Sequence, residues 1–137
     1  MRHARGLLDT SVVIEFNDLD DSALPYESMI SSITLGELAA GPHGTADPAK
    51  RAHRQERLQQ IESALDVLSF DAASARAFGR IWGAISAIGR KPRGGRPVDL
   101  LIAATALAEG LPLYTLNPAD LRGLEDLIEV VPVAHAS

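Results

Sequence analysis

The sequence predicts an α/β fold, with a central, mostly parallel sheet flanked by helices. Short apolar runs alternate along the chain with stretches of helical periodicity, the order that gives parallel strands joined by crossover helices. Apolar residues make up 46% of the chain but aromatics only 4%. Leu, Ile, Val and Ala must therefore fill the core, which suits helices packed on a sheet. A length of 137 residues is that of one ordinary domain, and no internal repeat divides it. Residues 1–137 are accordingly read as a single domain.

The first strand is expected over 6–8, running into Asp9-Thr10-Ser11. Thr10 or Ser11 can cap a helix carrying Val12, Val13 and Phe16. Residues 18–27 are a polar connection containing Pro25, in which Asp18, Asp20 and Asp21 face solvent. The β-branched-rich run at 29–33 predicts a second strand, followed by Thr34 as a cap and a helical turn over 36–40 that Gly41-Pro42 ends. Residues 47–65 are helical, with Pro48 in the first turn and Leu58, Ile61 and Leu65 forming a stripe. A third strand is expected over 67–70. Asp71 then caps a long helix whose shared face is Ala75, Phe78, Trp82, Ile85 and Ile88, with Phe78 and Trp82 packing inward. Residues 89–95 form a basic, glycine-rich loop. Pro97 opens a helix over 98–109 that Gly110 closes. A strand over 113–116, a turn with a short helix over 117–124 and a last strand over 127–133 complete the chain.

Several classes fall away on composition. With no cysteine there are no disulfides or thiolate metal sites, which fits a reducing compartment. No stretch approaches the ~20 apolar residues that cross a bilayer, and the N-terminus has no signal-peptide pattern, so a cytoplasmic protein away from membranes is expected. A net charge of −5 argues against binding nucleic acid by bulk electrostatics, although it hides local clusters. His3, His43, His53 and His135 are scattered without metal-ligand spacing.

Three carboxylates occupy unusual places. Asp9 directly follows Leu7-Leu8, where a buried strand should meet its loop. Open α/β sheets place their ligand crevice beyond such strand ends, although a helix-capping Asp reads equally well there. Glu37 lies in Ile33-Thr34-Leu35-Gly36-Glu37-Leu38, among apolar neighbours. Thr34 and Glu37 also have the spacing of a capping box, and Glu37 taken alone is better explained that way. Asp99 stands in Pro97-Val98-Asp99-Leu100-Leu101-Ile102-Ala103-Ala104-Thr105-Ala106. The first turn favours an anion there. A charge in so apolar a helix is nonetheless costly unless paired or metal-bound, which favours function. Beyond the late strand, Leu116-Asn117-Pro118-Ala119-Asp120 adds an amide and a further carboxylate, or simply a turn.

The combined pattern resembles the PIN-domain nucleases, in particular the VapC-type toxins of bacterial toxin–antitoxin pairs. The matching pieces are Leu7-Leu8-Asp9-Thr10-Ser11, Glu37 in its segment, Asp99 through Ala106, and Thr115-Leu116-Asn117 with Asp120. The resemblance implies a PIN-like three-layer fold, RNA cleavage dependent on Mg²⁺ or Mn²⁺, homodimerisation, and neutralisation by a small cognate antitoxin. The place after Leu116 can hold a fourth acid in that family. Here it is Asn117, which brings no charge, so one firmly held ion is expected rather than a tight pair. The aromatic that often follows the later Asp is here Leu121.

On this reading Asp9 and Asp99 are the primary metal ligands, and Glu37 completes the shell or orients the attacking water. Asn117 positions a metal-bound water, and Thr10 or Ser11 bonds nearby carboxylates or phosphate. Mg²⁺ suits such oxygen ligands and usually keeps several waters. Arg90, Lys91, Arg93 and Arg96, just upstream of Asp99, offer grips for flanking phosphates, unless the loop is merely solvated. Lys50, Arg51, Arg54 and Arg57 form a second basic run, read as a solvated face or an antitoxin contact rather than an RNA site. Two rivals fit poorly. A receiver-type phosphoacceptor needs paired acids after the first strand and a late Lys, and a haloacid-dehalogenase-type phosphatase needs Asp where Ser11 stands. A catalytically weak partner-binding PIN fold, which Asn117 favours, and a DNA-directed PIN nuclease remain as alternatives.

Overall fold

The computed structural model describes residues 2–89 and 97–135, so Arg90, Lys91, Arg93 and Arg96 lie outside the described residues. Five strands, β1 (Arg5–Leu8), β2 (Glu27–Ser31), β3 (Asp66–Leu68), β4 (Leu113–Thr115) and β5 (Val130–Pro132), pair in the order β3-β2-β1-β4-β5. Every pairing is parallel, a stricter arrangement than the mostly parallel sheet expected. The helices are α1 (Thr10–Ile14), α2 (Ser32–Ala40), α3 (Pro48–Ala64), α4 (Ala72–Ala87) and α5 (Pro97–Glu109).

The strands are short and apolar because both faces of the sheet are covered. Successive strand side chains point to opposite faces, so Leu7, Met29 and Leu113 join one core with α4 and α5, among them Ile81, Ile85 and Ile102. Leu8, Ile30 and Tyr114 join the other with Val12, Val13, Leu38 and Ile61 from α1, α2 and α3. Leu7 and Leu8 are both fully buried, each worth about 2 kcal/mol of apolar transfer. The result is the three-layer architecture. Gly6 in β1 is required by close approach: a Cβ there would lie 2.6 Å from Tyr114 Cε1 and 3.0 Å from Pro25 Cγ. Burial in turn pushes the Tyr114 phenol above its ordinary value.

Helix ends follow their chemistry. Asp47 caps α3 through the backbone N–H of Ala49, with Pro48 in the first turn, and Asp71 caps α4 through that of Ser74. Gly110, at φ +67°, closes α5, with Leu111 N–H donating to Ala106 O and Gly110 N–H to Leu107 O.

Several expectations need correction. Asp9, not Thr10 or Ser11, caps α1. The second strand ends at Ser31, which caps α2 by accepting from Ile33 N–H; Thr34 is buried inside the helix and heads no capping box with Glu37. The apolar run 29–33 straddles the strand–helix boundary, so it reads as one strand when it is two elements. The third strand starts and stops earlier than 67–70, the fourth ends at Thr115, and the last is confined to Val130–Pro132. The buried face of α4 is Ser74, Ala77, Ile81 and Ile85, about one residue round from the expected stripe. Trp82 and Ile88 are 45% and 54% exposed, and Phe78 is half-buried against Trp82. Among the described residues no helix is long and apolar enough to cross a membrane.

Candidate active site

The strand order sets the location. From β1 the chain proceeds outward to β2 and β3 on one side, and β4 and β5 fill the other, so the order reverses between β1 and β4. The crevice beyond the carboxyl ends of those two strands is where open parallel sheets hold ligands.

Asp9 is the first residue past β1. Its N–H donates to Tyr114 O at 3.0 Å, which keeps it registered on β4. Its Oδ1 accepts from Val12 N–H at 3.2 Å and from the Ser11 hydroxyl at 2.5 Å. Oδ2 takes neither bond. Ser11 Oγ also accepts from Leu116 N–H at 3.2 Å, so one hydroxyl joins the ends of β1 and β4. Thr115 Oγ1, fully buried, accepts from Asn117 N–H at 2.9 Å and turns the chain just beyond β4.

These residues line a small cavity. Asp9, Ser11, Asp99, Asn117 and Asp120 border it over a floor of Leu113 and Leu121, and its volume is about 30 Å³. Asp99 reaches it half-buried from the first turn of α5, and Asp120 from a 3₁₀ turn, Pro118–Leu121. Its polar side chains offer oxygen donors, with the Asn117 amide the one nitrogen and no His in the lining. That donor set matches a hard divalent cation and not a soft one. Among the described residues no three His, Asp or Glu side chains already form a metal cluster. The fit is therefore to an ion held by one or two carboxylates and completed by water.

Glu37 is placed elsewhere. It is exposed in the second turn of α2 and accepts from Thr10 Oγ1 at 2.6 Å. Thr10 has one proton and gives it to Glu37, so the buried Thr34 hydroxyl, 3.0 Å away, donates to Thr10. Glu37 and Thr10 line a neighbouring cavity of about 400 Å³ with Ile14, Leu38, Gly41, Arg54 and Arg57. The structure thus brings Asp9, Asp99, Asn117 and Ser11 together and sets Glu37 on the next opening, with Thr10 between. Asp120 joins the first group, as the further carboxylate that the segment after the late strand offers. The basic run over 50–57 gives no sign that Arg54 and Arg57 flank Glu37. His3 is tied to Glu129 at 2.8 Å, and His135 lies 3.9 Å from Glu15, both apart from the cavity lining.

A PIN domain family model matches residues 6–125. Ribonuclease VapC of Rickettsia bellii (strain RML369-C) is 28% identical over 131 residues, covering 93% of this chain and 95% of the relative. Ribonuclease VapC1 of Rickettsia felis is 28% identical over 132 residues, covering 93% and 96%. Among solved structures, VapBC-5 of Mycobacterium tuberculosis, a member of the VapBC family of toxin–antitoxin systems, superimposes with a TM-score of 0.79 at 30% identity, covering 95% of this chain and 99% of that one. With the three-layer parallel sheet and acid-lined switch point already in place, the match over residues 6–125 settles the family: the chain belongs to the PIN domain family.

Proposed function

We propose that this chain is a ribonuclease toxin of a toxin–antitoxin pair, cutting RNA phosphodiester bonds with Mg²⁺, which Mn²⁺ can replace. The observation that carries the proposal is the meeting of Asp9 and Asp99 in one oxygen-lined cavity at the switch point. A volume of about 30 Å³ is small, enough for an ion and its waters but not for a nucleotide. That supports a single firmly held ion, with the RNA lying outside.

Asp9 and Asp99 would hold the ion, aided by Asp120 or by waters positioned by Asn117. Ser11 holds the Asp9 carboxylate in orientation through its 2.5 Å bond, leaving Oδ2 for the cavity. When bound, the ion polarises the phosphate and lowers the pKa of a ligated water. Glu37, held by Thr10, faces the adjoining opening, where it can accept a hydrogen bond from the attacking water and orient it. The proposal includes a small antitoxin as partner, a homodimer and a cytoplasmic site of action.

Cleavage of total RNA should require Mg²⁺, stop with EDTA, and fall at least ~100-fold in Asp9→Asn and Asp99→Asn. Full cleavage by either variant, or by wild type in EDTA, would refute the scheme. A second reading, a PIN fold kept for partner binding with weak catalysis, draws on Asn117 and on the lack of a ready-made cluster among the described residues. Calorimetric titration with Mg²⁺ decides between them, because only the enzyme reading requires a site that Asp9→Asn abolishes.

A further inference from the structure

Helix α3 carries Lys50, His53, Arg54 and Arg57 at spacings of three, four and seven, which place them on one face. That face is not simply solvated. Arg54 and Arg57 border the Glu37 cavity, and the same two residues border a second cavity of about 370 Å³ with Ala49, Lys50 and His53. The two openings thus form one groove along α3, ending at Thr10. Arg51, in the same basic run, turns out of it to donate to Thr45 O at 2.9 Å. Arg54 is pinned in the wall by donating to Gly41 O at 2.9 Å. Arg57 is half-buried, and among the described residues no hydrogen bond or ion pair engages its guanidinium. Glu37 is the one carboxylate among the residues that line the two openings, at the end nearest Asp9. Arg57 shares openings with Glu37, Asp18 and Glu56 but bonds none of them. A partly desolvated, unbonded guanidinium favours an anionic ligand, and a row of cations leading to a hydrolytic site suits the successive phosphates of a single strand. Ile14, 46% exposed, supplies an apolar floor where a base can rest.

We infer that Lys50, Arg54 and Arg57 form a track for the phosphates of single-stranded RNA entering the site past Glu37. The inference rests on the ribonuclease reading. It is tested in an Asp9→Asn background, where cleavage is blocked, by the anisotropy of a fluorescein-labelled oligouridylate across a salt series. Lys50→Gln with Arg57→Gln removes two phosphate contacts, each worth a slope of about 0.7 in log K against log salt for single strands. The slope should flatten by about 1.4, and affinity at roughly 0.1 M salt should fall about 25-fold. Melting should be unchanged, and Arg57→Lys should retain most of the slope. An unchanged slope with normal wild-type cleavage overturns the track alone. Loss of oligoglutamate binding with oligouridylate unaffected also overturns it, in favour of an acidic protein partner. Absence of metal-dependent RNA cleavage by wild type overturns the track and the ribonuclease reading together.

Discussion

Replacing Asp9 separates two jobs held by one carboxylate, the helix cap and the proposed metal ligand. In Asp9→Ala the Val12 N–H loses its side-chain acceptor and keeps only the backbone oxygen of residue 9, 3.1 Å away, and loss of a cap costs about 1 kcal/mol. The Ser11 hydroxyl, 2.5 Å from Oδ1, loses its acceptor as well, adding about 1 kcal/mol. For a chain of 137 residues, about 2 kcal/mol lowers the melting temperature by roughly 6–8 °C. Asp9→Asn keeps an acceptor oxygen, and Asn caps about as well as Asp, so its melting temperature should hold within roughly 2 °C. It loses the charge, however, and a unit charge about 4 Å from another is worth about 4 kcal/mol per charge at an effective dielectric of about 20. Mg²⁺ affinity should therefore fall by at least ~100-fold in both variants. Melts in EDTA report the cap, and magnesium calorimetry with RNA cleavage reports the ligand. Wild-type magnesium binding by Asp9→Asn would refute the ligand role, and equal melting of the two variants would refute the separation.

Gly6→Ala forces a methyl to 2.6 Å from Tyr114 Cε1 inside the central strand, and urea denaturation should show a loss of about 1–3 kcal/mol. Ile81→Ala, from the buried face of α4, should cost about 2–5 kcal/mol, whereas Trp82→Ala should cost about 1 kcal/mol despite the larger side chain. The reverse ranking would restore the expected face. The Asp71 carboxyl sits below its ordinary 3.8 because it accepts from Ser74 N–H. A lowered carboxylate stabilises the fold above 3.8 and loses that contribution as pH drops through the folded value. The stability gap between wild type and Asp71→Asn should thus be widest near neutrality and close in acid. A gap constant with pH would show that the charge plays no part.

What the chain disclosed in advance depended on how local the signal was. Leu7-Leu8 and Leu113 announce buried parallel strands because both faces of such strands need apolar residues, and Pro97 and Gly110 mark α5 through backbone preferences that neighbours do not alter. The start of α2 is hard to place from sequence because Ser31 and Ser32 interrupt an apolar run that Ile33 then resumes, and Thr34 looks like a better cap. The face of α4 is hidden in the sequence because a large indole outweighs Ser74 and Ala77, whose burial depends on how closely α5 approaches. Within the site, the strand-end position of Asp9 and the charge of Asp99 in an otherwise apolar helix mark two residues that meet in the cavity. That Glu37 opens onto the next cavity depends on the packing of α2 against α3, which no local pattern encodes. The spacing of 50, 53, 54 and 57 was visible as a helical face, but nothing in it tells a solvated face from the wall of a groove.

The Ser11 hydroxyl bond to Leu116 N–H spans 105 positions of sequence. β1 is made first but occupies the middle of the sheet, and its second neighbour, β4, begins only at Leu113. Pairings this distant pay a large loop-closure cost before any contact repays it, which slows folding. A nascent chain on the ribosome therefore carries Asp9 long before it carries the other wall of the cavity. The catalytic power proposed for this fold arrives late and all at once, as the final third of the polypeptide emerges and docks.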